Sequence, residues 1–208
     1  MRTFCGSMLT VFLFLAGTVA QAGFHEASDA YKSGNYSVAL AEFKRLAANG
    51  DAGAQYNLGL MYANGHGVSQ DFQEALAWYR KAAEQGETAA QIALGWLYAQ
   101  GQVVERDYEQ AMVWYRKAAQ HGDATAQLNV GWMYARGQAV EQDYRQAVAW
   151  YHKAAEQGNA SAQYNLGLMY RNGNGMPVDL VQAHKWFDVA VAHGNDDVQQ
   201  NRLRSKPK

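Results

Sequence analysis

The chain has 208 residues, of which 49% are hydrophobic and 18% are charged, and this balance excludes an intrinsically disordered body. The formal net charge of −1 argues against a general electrostatic grip on nucleic acid, so nucleic acid is not an expected partner. No apolar run reaches the roughly 18–20 residues that a helix needs to span a bilayer. The two prolines are Pro177 and Pro207, so a helical interpretation of residues 23–176 meets no proline break.

The first 22 residues (1–22) have the organisation of a secretory signal peptide. Arg2 precedes an apolar stretch at 8–19, and Ala-Gln-Ala at 20–22 matches the small-x-small cleavage rule. We therefore expect export to the periplasm or the medium, with no membrane span after signal cleavage. The alternative is an uncleaved anchor, because only one basic residue precedes the apolar stretch. The single cysteine, Cys5, would leave with the signal, so the mature fold is expected to hold without disulfides.

A 36-residue repeat occupies most of the remaining chain. Residues 88–123 and 124–159 are identical at 20 of 36 aligned positions, and related segments precede and follow them. A fixed period of this length is typical of stacked helical units, each of which buries its apolar face only against its neighbours. The predicted repeats are 51–86, 87–122, 123–158 and 159–194.

Each repeat has the pattern of a helix, a loop and a second helix. In the first repeat, an apolar face at helical spacing predicts a helix that ends at Gly65. Asp71 and Glu74 then predict a capping box at the start of the second helix, which ends at Gly86. Gly59 lies in the middle of the first helix, where glycine costs about 1 kcal/mol relative to alanine. We expect this glycine to allow close approach to the alanine-rich face of the second helix.

The repeated motif carries a family resemblance. Ala-Gln-x-x-Leu-Gly-x-x-Tyr, then Gly-x-Gly-Val, then Asp-x-x-x-Ala-x-x-Trp-Tyr-x-Lys-Ala-Ala-x-Gln-Gly, best seen at 54–86, resembles the Sel1-like repeat of exported bacterial proteins. The resemblance implies an all-α fold, a right-handed α-solenoid of helix-turn-helix repeats related to tetratricopeptide repeats. Val103 and Ala139 replace Gly67 of the motif, so the second and third loops are expected to turn differently.

The two ends of the array depart from the motif. Residues 23–50 resemble a shorter tetratricopeptide-type capping repeat without the long loop. Residues 195–208 predict a final capping helix followed by a basic tail, whose last seven residues carry four basic side chains and no acid. Such a tail is either simply solvated or in contact with peptidoglycan, anionic lipid or an acidic partner.

The sequence offers no constellation of catalytic residues. His25-Glu26 lacks the second histidine of a zinc helix motif, and His121 and His193 lie two repeats apart. We therefore predict no catalytic residue, no metal site and no cofactor.

A strip along the first helices is the candidate binding surface. Trp96 and Trp132 occupy one repeat position at which the outer repeats carry leucine, and such variation indicates contact with something other than the scaffold. By the resemblance, the first helices line the concave surface, and an aromatic strip edged by amides and arginine suits an extended peptide. The alternative is that superhelical curvature buries part of the strip. The predicted partner-binding residues are Tyr56, Leu60, Asn64, Ile92, Trp96, Gln100, Leu128, Trp132, Arg136, Tyr164, Leu168 and Asn172.

A second set of tryptophans recurs once per repeat, beside the tyrosine of the second helix. This constancy predicts a packing role for all four members of the set, which are Trp78, Trp114, Trp150 and Trp186.

Three functions are consistent with this sequence. The resemblance implies an exported, non-enzymatic scaffold or adaptor that binds a protein or peptide, as Sel1-like proteins commonly do in bacterial envelope complexes. One alternative is a hydrolase of β-lactams or peptidoglycan fragments, an activity attributed to a cysteine-rich branch of the family with a disulfide in each repeat. The other is a glycan-binding protein that stacks sugars on tryptophan. Because the predicted mature chain has no cysteine, the scaffold is the favoured hypothesis.

Overall fold

The computed structural model describes residues 21–194, and this part of the chain consists of α-helices and the loops between them. Within it, α1 covers residues 21–32. The helices that follow have 13 residues each and are α2 (Tyr36–Ala48), α3 (Ala52–Asn64), α4 (Phe72–Glu84), α5 (Thr88–Gln100), α6 (Tyr108–Gln120), α7 (Ala124–Arg136), α8 (Tyr144–Glu156), α9 (Ala160–Asn172) and α10 (Leu180–Ala192). None of the helices in this range has the length and apolar character that a membrane crossing requires.

The predicted segments at the two ends fall largely outside this range. Residues 1–20 of the predicted signal peptide lie beyond the described residues, and so do the predicted capping helix and basic tail at 195–208.

Side-chain caps explain where the helices begin. An Asp oxygen accepts a hydrogen bond from a backbone N–H in the first turn, as Asp51 does from Ala54 at 2.7 Å and Asp107 from Gln110 at 2.9 Å. The prediction of a full capping box is wrong in its second hydrogen bond, from the N–H of Asp71 to the side chain of Glu74. The N–H of Asp71 donates instead to the carbonyl oxygen of Tyr62 at 2.9 Å, so the loop closes back onto the preceding helix.

The described chain forms two compact units that divide between Ala90 and Gln91. In the first unit, α3 packs against both α2 and α4, around a core that includes Phe43, Leu58 and Met61. In the second unit, α6 to α10 pack each against the next in chain order. Each core is therefore built from neighbouring helices, as the repeat period predicts.

Tyrosine rings explain the glycines in the middle of the first helices. A Cβ atom at Gly59 would lie 2.7 Å from the ring of Tyr79, and one at Gly95 would lie 2.6 Å from the ring of Tyr115. The predicted close approach is present, but its main partner is the tyrosine ring and not the alanine-rich face. Burial raises the pKa of the Tyr115 phenol, because the core disfavours the charged phenolate.

Within each unit, a buried glutamine ties a first helix to the helix before it. In the first unit, the amide nitrogen of Gln55 donates to the carbonyl oxygen of Ala47 at 3.3 Å, and its oxygen accepts from Gln85 at 2.7 Å. In the second unit, Gln163 donates to Ala155 at 3.0 Å. These bonds give the Ala-Gln dipeptide of the motif a structural role, because they pair the amide nitrogen of a buried side chain with a backbone carbonyl.

The left-handed turn in the loops between paired helices does not depend on glycine alone. Gly67 and Gly175 adopt left-handed φ values of 73° and 77°, and Ala139 adopts φ 63° at the same repeat position. The third loop therefore turns like the first and fourth, contrary to expectation, at the cost of strain in a non-glycine residue. Val103 does not adopt a positive φ, so the second loop does turn differently.

Candidate functional site

Two exposed tryptophans form the most distinctive surface of the second unit. Trp96 lies on α5 and is 48% exposed, whereas Trp132 lies on α7 and is 37% exposed. Both side chains line one pocket of about 510 Å³, together with Gln100 and Leu128. Four of the residues predicted from sequence thus lie around a single cavity, hereafter the tryptophan pocket.

The helical spacing explains how α7 contributes to this pocket. Leu128, Trp132 and Arg136 follow one another at intervals of four residues, so their side chains lie one above another on one face. The guanidinium carbon of Arg136 lies 5.8 Å from the centroid of the Trp132 ring, within cation–π range. Leu128 is half-buried because it also packs against a core cluster of the second unit.

Sequence reasoning missed several polar residues of the tryptophan pocket. Asn129 on α7 and Asn165 on α9 line it, as do Ser161 and Arg106. The two asparagines occupy one repeat position, at an offset of 36 residues, so a recurring amide was the available signal. Arg106 lies in the loop before α6. Helical periodicity therefore could not predict that this residue lines the pocket.

Arg106 gives the tryptophan pocket a positive charge. Among the described residues that line the pocket, none is Asp or Glu. The guanidinium carbon of Arg106 lies 5.9 Å from the centroid of the Tyr108 ring, which also lines the pocket. Tyr115, whose pKa is raised by burial, also lines the pocket.

The remaining predicted residues of the second unit lie outside the tryptophan pocket. Ile92, Tyr164 and Leu168 are half-buried and pack against core clusters of this unit. The Tyr164 ring lies 5.7 Å from the ring of Phe187, centroid to centroid. Asn172 is exposed and accepts a hydrogen bond from Arg171. None of these residues lines the tryptophan pocket, so their place in a binding surface stays a prediction.

Three predicted residues belong to the first unit. Leu60 is half-buried and Asn64 is exposed. Tyr56 is half-buried, and its ring centroid lies 5.7 Å from that of Tyr79. Burial, with a smaller contribution from the negative charge of Glu87, raises the pKa of Tyr56. Their role as partner contacts likewise stays a prediction.

The tryptophans of the second helices have the packing role that the sequence predicts. Trp114 is only 8% exposed, and Trp78, Trp150 and Trp186 each pack against a hydrophobic core cluster. A lysine three residues later covers the ring in three cases, with distances of 4.0 to 4.2 Å from Nζ to the ring centroid. These rings belong to the scaffold, in contrast to Trp96 and Trp132.

Across residues 21–194, no group of three or more His, Cys, Asp or Glu side chains is arranged to hold a metal ion.

Comparison with solved structures finds Sel1 repeat proteins. A Sel1 repeat protein from Oxalobacter formigenes is 37% identical, with a TM-score of 0.76 over 80% of this chain and 66% of that protein. The protein c5321, a protective antigen of uropathogenic Escherichia coli strains with an SLR fold, is 34% identical, with a TM-score of 0.82 over 90% of this chain and 41% of that protein. The chain thus spans just under two thirds of the first protein and about two fifths of the second.

A more distant structure shares the fold alone. Cysteine rich protein B (hcpB) of Helicobacter pylori is 23% identical, with a TM-score of 0.51 over 64% of this chain and 95% of that protein. Comparison with curated proteins found no match.

The family assignment rests on a match that covers most of the chain. The Sel1 repeat model matches residues 52–87, 88–123, 124–159 and 160–195. Together with the helices of residues 21–194, this match confirms the predicted all-α repeat fold of the Sel1 and tetratricopeptide-like class. The chain therefore belongs to the Sel1 repeat family.

Proposed function

We propose that this protein is an exported, non-enzymatic scaffold that holds an extended segment of a partner protein in the tryptophan pocket. The observation that carries the proposal is the exposure of Trp96 and Trp132 on one cavity. Tryptophan is among the residues that most often dominate the free energy of protein binding, especially where it lines a concave surface.

The repeats themselves argue that these two rings serve binding and not folding. Leu60 and Leu168 occupy the same repeat position in the outer repeats, and they are half-buried. The scaffold therefore accepts a smaller side chain at this position. A tryptophan that leaves more than a third of its surface in water contributes little to the core. We therefore expect the ring to contribute its free energy of burial when a partner binds.

The polar lining suits a peptide backbone. The side-chain amides of Gln100, Asn129 and Asn165 each offer both donors and an acceptor, which an extended chain needs along its length. In an extended segment, alternate side chains would point toward the apolar rings. The backbone amides between them would face the side-chain amides of the pocket. Export to the bacterial envelope rests on the signal-like residues 1–22 and belongs to the same proposal.

The other two hypotheses have less support. The likeness to the cysteine-rich Helicobacter protein is one of fold alone, and the single cysteine of this chain is Cys5. Glycan binding would use the same tryptophan faces, so it is an alternative outcome of the experiment below.

The experiment is quantitative affinity capture from the native envelope with wild-type protein and with the double variant Trp96→Leu/Trp132→Leu. Leucine is the residue that the outer repeats carry at this position, so both proteins should fold equally. We expect a partner protein that binds the wild type and loses at least about tenfold in affinity for the variant, because two interface tryptophans commonly contribute about 2 kcal/mol each.

The matched control is Val113→Ala. Val113 is 45% exposed on α6 and lies outside the tryptophan pocket, and the first and third repeats carry alanine at this position. This variant should bind as the wild type does. Equal capture by the tryptophan variant, retention of muropeptides instead of protein, or turnover of nitrocefin would contradict the scaffold proposal.

A further inference from the structure

Residues that differ from their equivalents in the other repeats are concentrated at the tryptophan pocket. Besides the two tryptophans, Arg106 and Arg136 differ from their equivalents in the other repeats, which are mainly amides. Both arginines are exposed, and Arg106 lines the pocket while Arg136 lies against the Trp132 ring.

Arg106 replaces a residue that elsewhere stabilises the loop. In the first unit, Gln70 at this repeat position donates to the carbonyl oxygen of Ala63 at 2.8 Å. In the second unit, Gln142 donates in the same way to Ala135, also at 2.8 Å. Within residues 21–194 Arg106 makes no such bond to Ala99, and Ala99 itself lines the pocket. The guanidinium is therefore available to a ligand instead of the loop.

Neither guanidinium forms an ion pair with a carboxylate in the described part of the chain. The ion pairs there join other residues, and neither Arg106 nor Arg136 takes part in one. The nearby acids Glu105, Asp107 and Glu109 line a separate depression, which shares Arg106 and Tyr108 with the tryptophan pocket. Two arginines that lie against aromatic rings and form no ion pair in the described residues, beside two exposed tryptophans, make a surface that is complementary to carboxylates and apolar groups together.

We propose that the occupant of the tryptophan pocket is an extended acidic segment, in which an aromatic or leucine side chain is flanked by Asp or Glu. The apolar side chain contacts Trp96 and Trp132, and the flanking carboxylates pair with Arg106 and Arg136. This inference rests on the proposed function and adds the chemical class of the bound segment. Arginine suits this role because its planar fork binds a carboxylate through two parallel hydrogen bonds.

The test uses a positional-scanning library of decapeptides with acetylated N-termini and amidated C-termini, so that every carboxylate comes from a side chain. Purified wild-type protein should enrich Asp and Glu next to Trp, Phe or Leu. For the best single peptide, fluorescence anisotropy should show an affinity that falls when salt is raised from about 50 to 200 mM.

The decisive variant is Arg106→Gln/Arg136→Gln, because glutamine occurs at both of these repeat positions elsewhere in the chain. It should lose about tenfold in affinity for the best peptide and bind its Asp→Asn, Glu→Gln analogue as the wild type does. Arg145→Gln is the charge-matched control, since Gln73 occupies its position in the first repeat and Arg145 lies outside the pocket. This control should bind as the wild type.

Two different results would overturn the two proposals separately. Enrichment of basic or neutral peptides, or an acidic preference that survives in the double arginine variant, refutes the acidic occupant. A library in which no peptide is enriched, or in which enrichment is unchanged by Trp96→Leu/Trp132→Leu, refutes peptide binding in the pocket itself.

Discussion

Substitution of Gly95 by alanine tests the packing on which the repeat depends. A Cβ atom at this position would lie 2.6 Å from Cδ1 and Cε1 of Tyr115 and 2.9 Å from its Cζ. These atoms belong to a ring that is only 4% exposed, so the clash is not relieved by moving a flexible end. Either the ring or helix α5 must shift.

The expected magnitude is the difference between two effects. Overpacking a well-filled core costs about 1–3 kcal/mol, and contact with three ring atoms places this case toward the upper end. Alanine in place of glycine inside a helix contributes about 1 kcal/mol in the opposite direction. We therefore expect the free energy of unfolding to fall by about 1–2 kcal/mol, and Gly95→Leu to cost several kcal/mol.

Urea denaturation followed by far-UV circular dichroism measures this change as a shift in the midpoint. The same substitution in a Tyr115→Leu background is the control, because the shorter side chain removes the clash and leaves the gain in helix propensity. There, Gly95→Ala should be neutral or stabilising by up to about 1 kcal/mol. A higher midpoint for Gly95→Ala in the wild-type background would refute the proposed contact.

Four further predictions concern stability, pH and export. Trp114→Ala should destabilise the protein by about 3 kcal/mol in urea denaturation, because this ring is buried in the scaffold; an unchanged midpoint would contradict its packing role. Ala139→Gly should raise the free energy of unfolding by about 0.5–1 kcal/mol, since relief of the positive φ exceeds the added entropy of the unfolded chain; a loss of stability would show that φ carries no strain. Because burial raises the pKa of Tyr115, the unfolded state releases its proton first, so stability should fall as pH rises above about 10 in thermal melts; constant melting temperature up to pH ~11.5 would contradict this. N-terminal sequencing of the mature protein should begin at Gly23, and retention of Met1 would defeat the export prediction.

Local structure followed closely from the sequence. The period of 36 residues, the Asp residues before the second helices and the glycines after the helices predicted the helix-loop-helix repeats, because caps and left-handed turns depend on nearby residues. The constancy of Trp114 and its equivalents correctly indicated packing. The variation at Trp96 and Trp132 indicated contact with a partner; both rings are exposed on one pocket, and the contact itself stays a prediction. These signals are readable because equivalent positions in a repeat have equivalent environments, so a departure marks a different use.

Contacts between helices and loops were decided only by the tertiary structure. The sequence did not reveal that the N–H of Asp71 bonds to Tyr62, that a tyrosine ring fills the space beside Gly95, or that Arg106 reaches the tryptophan pocket. Each of these depends on how one segment packs against another, and helical periodicity orders side chains only within their own helix. The sequence therefore determined which rings could stand on the surface. Packing decided that Arg106 lies beside them, because the loop before α6 is held to α5 by the hydrogen bond from the N–H of Asp107 to the carbonyl oxygen of Tyr98.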